Sequence, residues 1–253
     1  MKYFDTHSHL NFPDYDKDRK DVIKNSLKGG VFVINVGTDI KESRKVIEIS
    51  KKYEGVYSAV GLHPLHIEDE DFFLLIGEYR NLIENKKVVA IGETGLDYKY
   101  VKNNPKTQEK QKEVFKKHID LADEFNLPLI LHCRMAHQDL LEILKERAKK
   151  TKGTIHCFSG TAKDAEEYLS LGFYLGINGI IFKMNIDKVI KDIPLNRIIL
   201  ETDCPFLSPI EDKKRNEPLF IKHIAKRVAE IKRISVDKVA EVTTKNAKTL
   251  FGV

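Results

Sequence analysis

The sequence predicts an α/β fold, a (β/α)8 TIM barrel formed as one domain over residues 1–253, and three observations carry the prediction. Short β-rich runs alternate with longer, charged, helix-like runs almost from end to end. The β-rich runs number eight and are nearly continuously apolar, as parallel strands covered on both faces are. The histidines and carboxylates at strand ends all fall at carboxyl ends, which a barrel gathers at one rim. A doubly wound open sheet is the runner-up, because it shares the same periodicity.

The elements follow in order. KYFDTH (2–7) is the first strand and is followed by a helix over 18–27. VFVINVG (31–37), VYSAVGL (56–62) and KVVAIGE (87–93) are the next three, with helices over 42–52, 71–85 and 107–125. PLILHC (128–133) and TIHC (154–157) precede helices over 138–150 and 162–171. FYLGIN (173–178) leads to a short helix near 186–191, and RIILET (197–202) is the eighth strand. Helices over 219–231 and 236–250 then close and brace the structure.

With 42% hydrophobic and 32% charged residues, the composition is that of an ordinary globular protein and excludes disorder as a first reading. Forty-three basic residues against 38 acidic ones give a charge of +5. This mixed surface is compatible with a polyanionic substrate but falls short of a dedicated nucleic-acid binder. No run approaches the roughly 18 apolar residues of a membrane span, and the first residues lack the pattern of a signal peptide. A cytoplasmic protein, without membrane association or an obligate protein partner, is expected. The three cysteines directly follow His132, His156 and Asp203. Strand alternation predicts that they face away from a site those neighbours line.

The residues at the expected rim are His7 and His9 after the first strand, His63 after the third and Glu93 on the fourth. His132, His156 and Asp203 end the fifth, sixth and eighth. His7 and His9, two apart, project to one side, with Asp5 below them in the same register. His7, His9, His132 and His156 with Glu93 and Asp203 make six ligand-type side chains at one rim, which repel one another unless a cation organises them. They are too many for one open catalytic site, and fit two metals with a carboxylate between. Imidazole with carboxylate suits zinc, manganese, iron or cobalt, while magnesium prefers oxygen; two divalent ions from among these five are expected. Paired ions acidify a shared water and clamp both oxygens of a displacement, so the reaction class is hydrolysis, with phosphoryl esters favoured. His66, His118, His137 and His223 fall elsewhere and are expected in surface or structural roles.

The strings FDTHSHL, GLHP, VVAIGETGLDY, LPLILHCR, TIHCFSG, ETDCPFL and KRNEP occur in the order of the TatD family of metal-dependent deoxyribonucleases, which the chain resembles over essentially its whole length. The resemblance implies a two-metal barrel enzyme that hydrolyses DNA phosphodiesters, with 3'-to-5' action on single-stranded ends. His7 and His9, with Asp203 beside them, resemble ligands of one metal, His132 and His156 of the other, and Glu93 the bridging carboxylate. Asp203 is also similar to the residue that handles the proton of the attacking water. His63 resembles a pocket histidine that meets a phosphate or an extra metal.

Arg134 shares the face of His132 and reaches either a phosphate or an acid such as Glu201 or Asp97. Glu201 and Asp97 are expected to support ligand histidines. Arg215 in KRNEP is either a nucleic-acid contact or a turn residue before a helix start at Pro218. The chain departs from the family at the short SPIEDK loop and at His118, where many relatives carry glutamine. Other readings are an aminoacyl-tRNA deacylase, a small-molecule amidohydrolase and a non-catalytic nucleic-acid-binding scaffold. Tryptophan is absent and most Tyr and Phe residues lie in predicted strands and helices, so no base-stacking platform is expected.

Overall fold

The structure is a computed structural model describing residues 2–148, 150–211 and 215–253. Lys149 of the expected fifth helix, and Asp212, Lys213 and Lys214 of the SPIEDK and KRNEP segments, lie outside the described residues.

All eight expected strands form: β1 (Tyr3–Ser8), β2 (Val31–Val36), β3 (Val56–Val60), β4 (Val88–Asp97), β5 (Leu129–Arg134), β6 (Gly153–Ile155), β7 (Tyr174–Ile177) and β8 (Ile198–Leu200). Between them run α1 (Arg19–Lys28), α2 (Ile40–Ser50), α3 (Phe72–Ile83), α4 (Pro105–Phe125), α5 (His137–Arg147), α6 (Ala162–Ser170) and α7 (Asp187–Asp192), followed by α8 (Ile221–Lys232) and α9 (Val236–Phe251). The strands pair in parallel in the order β1 to β8. Past β8 the chain returns to β1 through a parallel bridge between Cys204 and Ser8. At this seam Asp203 N–H donates to His7 O and His9 N–H to Cys204 O, both at 2.8 Å.

Several helix starts at the rim carry side-chain caps. Asp39 accepts from Glu42 N–H, Asn104 caps α4 just before Pro105, and Thr161 and Asp164 form a reciprocal capping box. Two buried apolar clusters result, one between strands and helices and one inside the ring. In the second, Phe4, Ala90, Ile130 and Ile199 from β1, β4, β5 and β8 meet Ala247, Leu250 and Phe251 of α9. Strands so far apart around the ring can meet only in its interior.

Two strands differ from expectation in ways that matter for the site. β4 does not stop at Glu93 but continues to Asp97, with an irregularity against β5 between Ile91 and Thr94. A Cβ on Gly95, at φ +136°, would lie 2.1 Å from His132 O, so only glycine allows β4 and β5 to approach here. Asp97 is thereby carried opposite Arg134. In β1 the register against β2 shifts between Asp5 and Ser8, and Asp5 does not join the histidines as expected. It is fully buried and accepts from His7 N–H, Thr202 N–H and the Thr202 hydroxyl, so it ties β1 to the end of β8.

His118 has the structural role expected of it. It is fully buried and stacks on Phe72 with ring centroids 4.3 Å apart. Its Nδ1–H donates to Val114 O, and its Nε2 accepts from Leu62 N–H, which steadies the loop leading to His63. Burial holds its pKa down at about 4. Unfolded histidine titrates near 6.5, so the unfolded chain takes up a proton that the folded one refuses. The stability is fully present above that value and is lost as pH falls toward the folded pKa, by about 3 kcal/mol from this group. His118→Gln, which retains a donor and an acceptor, is expected to flatten the fall in melting temperature between pH 6.5 and 4. Equal acid slopes in the two proteins would acquit His118.

Candidate metal centre

The six expected ligand residues converge at the carboxyl rim. Glu93 sits in the middle, and its two oxygens face different partners. Oε2 lies 3.3 Å from His7 Nε2 and 3.8 Å from His9 Nε2. Oε1 lies 2.9 Å from His132 Nδ1, 3.5 Å from His63 Nε2 and 3.9 Å from His156 Nε2. Asp203 Oδ1 closes the group at 3.6 Å from His9 Nε2, 3.8 Å from His156 Nε2 and 3.9 Å from His7 Nε2. Two of the triads whose donor atoms are close enough to hold an ion are His7, His9 and Asp203, and His63, Glu93 and His132.

The donor set can be tested for its fit to a cation. A neutral imidazole that gives its outer N–H to an acceptor presents an inner lone pair. His9 Nδ1 is 3.0 Å from Val36 O, His132 Nε2 is 2.9 Å from Asp97 Oδ2, and His156 Nδ1 is 2.8 Å from Glu201 Oε1. With these outer nitrogens protonated, the inner ones turn lone pairs toward each other and toward the acids. His9 Nε2, for example, lies 3.1 Å from His7 Nε2. Buried lone pairs and carboxylates at such distances are tolerable only with protons or metal ions between them. The residues therefore fit divalent metal.

The electrostatics agree. Burial alone would raise the Glu93 carboxyl, yet His63, His7 and His132 pull it well below the usual range. Burial likewise opposes ionisation of Asp203, but His156, His9 and His7 hold it below its ordinary value. His156 is pushed up to about 10 against the effect of burial by Glu201, Asp203 and Glu93. The protons that this anionic setting attracts are the ones a metal ion displaces.

The sequence matches the family described as TatD related DNase over residues 4–252. The chain belongs to the TatD family. It is a metal-dependent hydrolase of that family. An uncharacterized metal-dependent hydrolase, YabD, of Bacillus subtilis is 41% identical to it over 99% of both chains. The 3'-5' ssDNA/RNA exonuclease TatD of Escherichia fergusonii is 31% identical, again over 99% of both. The solved structure of YJJV, a TatD homolog from Escherichia coli, superposes with a TM-score of 0.90 at 29% identity, covering 99% of this chain and 98% of that one.

Around the centre of this TatD family member, several residues take more definite places than their sequence positions defined. His63 differs from the other rim histidines because its Nδ1 accepts from Leu65 N–H. Its proton therefore sits on Nε2, facing Glu93, and burial keeps the ring neutral by lowering its pKa to about 3. His63 thus presents a hydrogen-bond donor where its neighbours present lone pairs. Arg134 pairs with Asp97, with Nε at 2.8 Å and Nη2 at 2.6 Å from Oδ2. Of the two alternatives for it, the structure contains the ion pair, and its side chain remains 36% exposed. Glu201 and Asp97 support His156 and His132 as expected, and Glu201 also accepts from Cys157 N–H and Asn178 Nδ2.

Arg215 is not brought to the cluster. It holds Asp18 with both Nη atoms, at 2.8 and 2.7 Å, donates to Glu217 and Asp14 O, and lies over the Tyr15 ring. Among the described residues the cysteines are free thiols. Cys133 faces away, 3.2 Å from His137 Nδ1, while Cys157 corrects the expectation for its position. β6 ends at Ile155 and Cys157 has φ +49°, so strand alternation no longer applies and its sulfur lies close enough to His156 and Asp203 to share an ion.

Sequence reasoning also missed the rim of exposed apolar side chains. Leu65, Tyr100, Met135, Phe182, Met184 and Phe206 are 38–68% exposed, and each lies between a strand's carboxyl end and the next long helix. The available signal was large apolar residues in loops next to ligand positions, as in LDYKY and DCPF.

Proposed function

We propose that this TatD family hydrolase cleaves phosphodiester bonds of single-stranded nucleic acid from 3' ends, using two divalent ions. The observation that carries this reading is the division of Glu93: one oxygen faces His7 and His9, the other faces His132, His156 and His63. A carboxylate between two imidazole groups suits a bridging ligand. His7 and His9 with Asp203 would hold one ion, and His132 and His156 the other. Bound divalent ions supply an acidified water and neutralise the charge of a phosphoryl oxygen.

The chain's own groups do the rest. Asp203, held ionised and partly open to solvent, accepts the proton of the attacking water. Neutral His63 donates from Nε2 to a non-bridging phosphate oxygen. Arg134, anchored by Asp97, adds positive charge at the same wall. Asp97 and Glu201 keep His132 and His156 in the tautomers that point lone pairs inward. The E. fergusonii relative named as an ssDNA/RNA exonuclease favours this substrate class.

The test offers end-labelled single- and double-stranded DNA and an aminoacyl-tRNA to protein of measured metal content, before and after chelation. Stepwise cleavage of the single strand from its 3' end, lost on chelation and restored by Mn(II), Zn(II) or Mg(II), is expected. Chelator-resistant cleavage, or turnover of the aminoacyl ester alone, would overturn the proposal.

A further inference from the structure

We infer that the catalytic mouth carries two base-stacking planes on opposite walls, one formed by Phe206 and one by Tyr100, which select unpaired nucleobases beside the scissile phosphate. This rests on the nucleic-acid reading above and adds to it how the strand is recognised.

Phe206 follows β8 and is 51% exposed. Its ring centroid is 6.3 Å from the His9 ring and 6.1 Å from Phe12, edge-to-face in both cases. Phe12 itself stacks on His9 at 4.6 Å. The ring is therefore buttressed from behind, adjoins a candidate metal ligand, and keeps half its surface in solvent. Tyr100 follows β4 and is 68% exposed. The Arg134 guanidinium lies 5.1 Å from its ring centroid and Lys99 Nζ 5.2 Å. Arg134 reaches His132 through Asp97. In the ring order β1 to β8, the β8/β1 seam and the β4/β5 pair are opposite, so the two planes flank the acid and histidine cluster.

Large exposed apolar side chains cost solvation, and six of the nine among the described residues stand in loops that follow the strands' carboxyl ends, on the side of the polar centre. Their occupant must offer flat apolar faces and negative charge at short intervals, because cations stand beside the Tyr100 ring and the centre between the walls suits phosphate. Single-stranded nucleic acid does so, and a base in a duplex, already stacked and paired, does not.

The experiment compares binding of a fluorescent oligothymidylate with that of an abasic strand of equal length, by anisotropy, for the metal-loaded parent, Phe206→Ala and Tyr100→Ala. The parent is expected to prefer the base-bearing strand, and each alanine variant to lose about tenfold of that preference, within the range base–aromatic stacking gives on truncation. Phe206→Trp is expected to restore the preference. Because the chain has no other tryptophan, that variant also has a lone indole whose emission should be quenched by the base-bearing strand and not by the abasic one. Equal affinity of the parent for both strands, or alanine variants that keep its preference, overturns the stacking planes and leaves phosphodiester cleavage standing. If neither strand binds, both readings fall.

Discussion

Replacing Glu93 with alanine is expected to lower turnover of a single-stranded oligonucleotide by about three orders of magnitude or more, since the ions a bridging ligand retains are worth several kcal/mol in the transition state. The same variant should retain fewer metal equivalents after dialysis. It should also lack the rise in melting temperature expected of the metal-loaded parent, because a ligand stabilises only what binds it. Glu93→Gln, which keeps one oxygen, should fall between. The case for Glu93 is geometric, since no other side chain in the cluster has one oxygen on each set of histidines. A Glu93→Ala variant that cleaves as fast as the parent, or keeps its metal stoichiometry, would remove the bridging role.

The second large effect is expected at Asp5, which lies outside the cluster. Its carboxyl accepts three hydrogen bonds at the seam and is fully buried. Asp5→Ala strands the donors of His7, Thr202 N–H and the Thr202 hydroxyl, and should cost about 3 kcal/mol or more of stability, at 1–3 kcal/mol per buried unsatisfied group. Metal affinity should fall with it, because the same backbone orients His7. Burial raises the Asp5 carboxyl well above the ordinary range, which makes a neutral replacement compatible with the site. Asp5→Asn should therefore cost much less than Asp5→Ala. Denaturant melts of the two variants with metal titrations decide the matter, and equal losses would mean that the hydrogen-bond pattern is not what the seam needs.

The barrel was legible because it rests on periodicity: eight apolar runs such as VFVINV and PLILHC, separated by charged helical ones, leave few other layer arrangements. The cluster was legible because its histidines and acids end strands, and strand ends share one rim. What the sequence could not convey depended on backbone irregularity. The extension of β4 past Glu93 turns on Gly95 and a register shift, and it is this extension that brings Asp97 between His132 and Arg134. The turn of Cys157 toward the site depends on one residue with positive φ. Arg215 drew attention by its motif, but its partners, Asp18 and Glu217, are identified only by the fold. The orientation of the histidine rings, and with it the distinction between His63 and the rest, depends on acceptors such as Val36 O that composition cannot identify.

The seam between β1 and β8 also sets the order of events at synthesis. Asp5 and Thr202, which stitch it, are 197 residues apart in the chain. A ribosome adding about 5–20 residues per second releases the first strand roughly 10–40 s before the last. Throughout that interval His7 and His9 wait without Asp203, their strand unpaired along one edge. The assembled centre is therefore a late product of translation, and a metal-dependent hydrolase built this way holds no complete ligand set until its eighth strand has arrived.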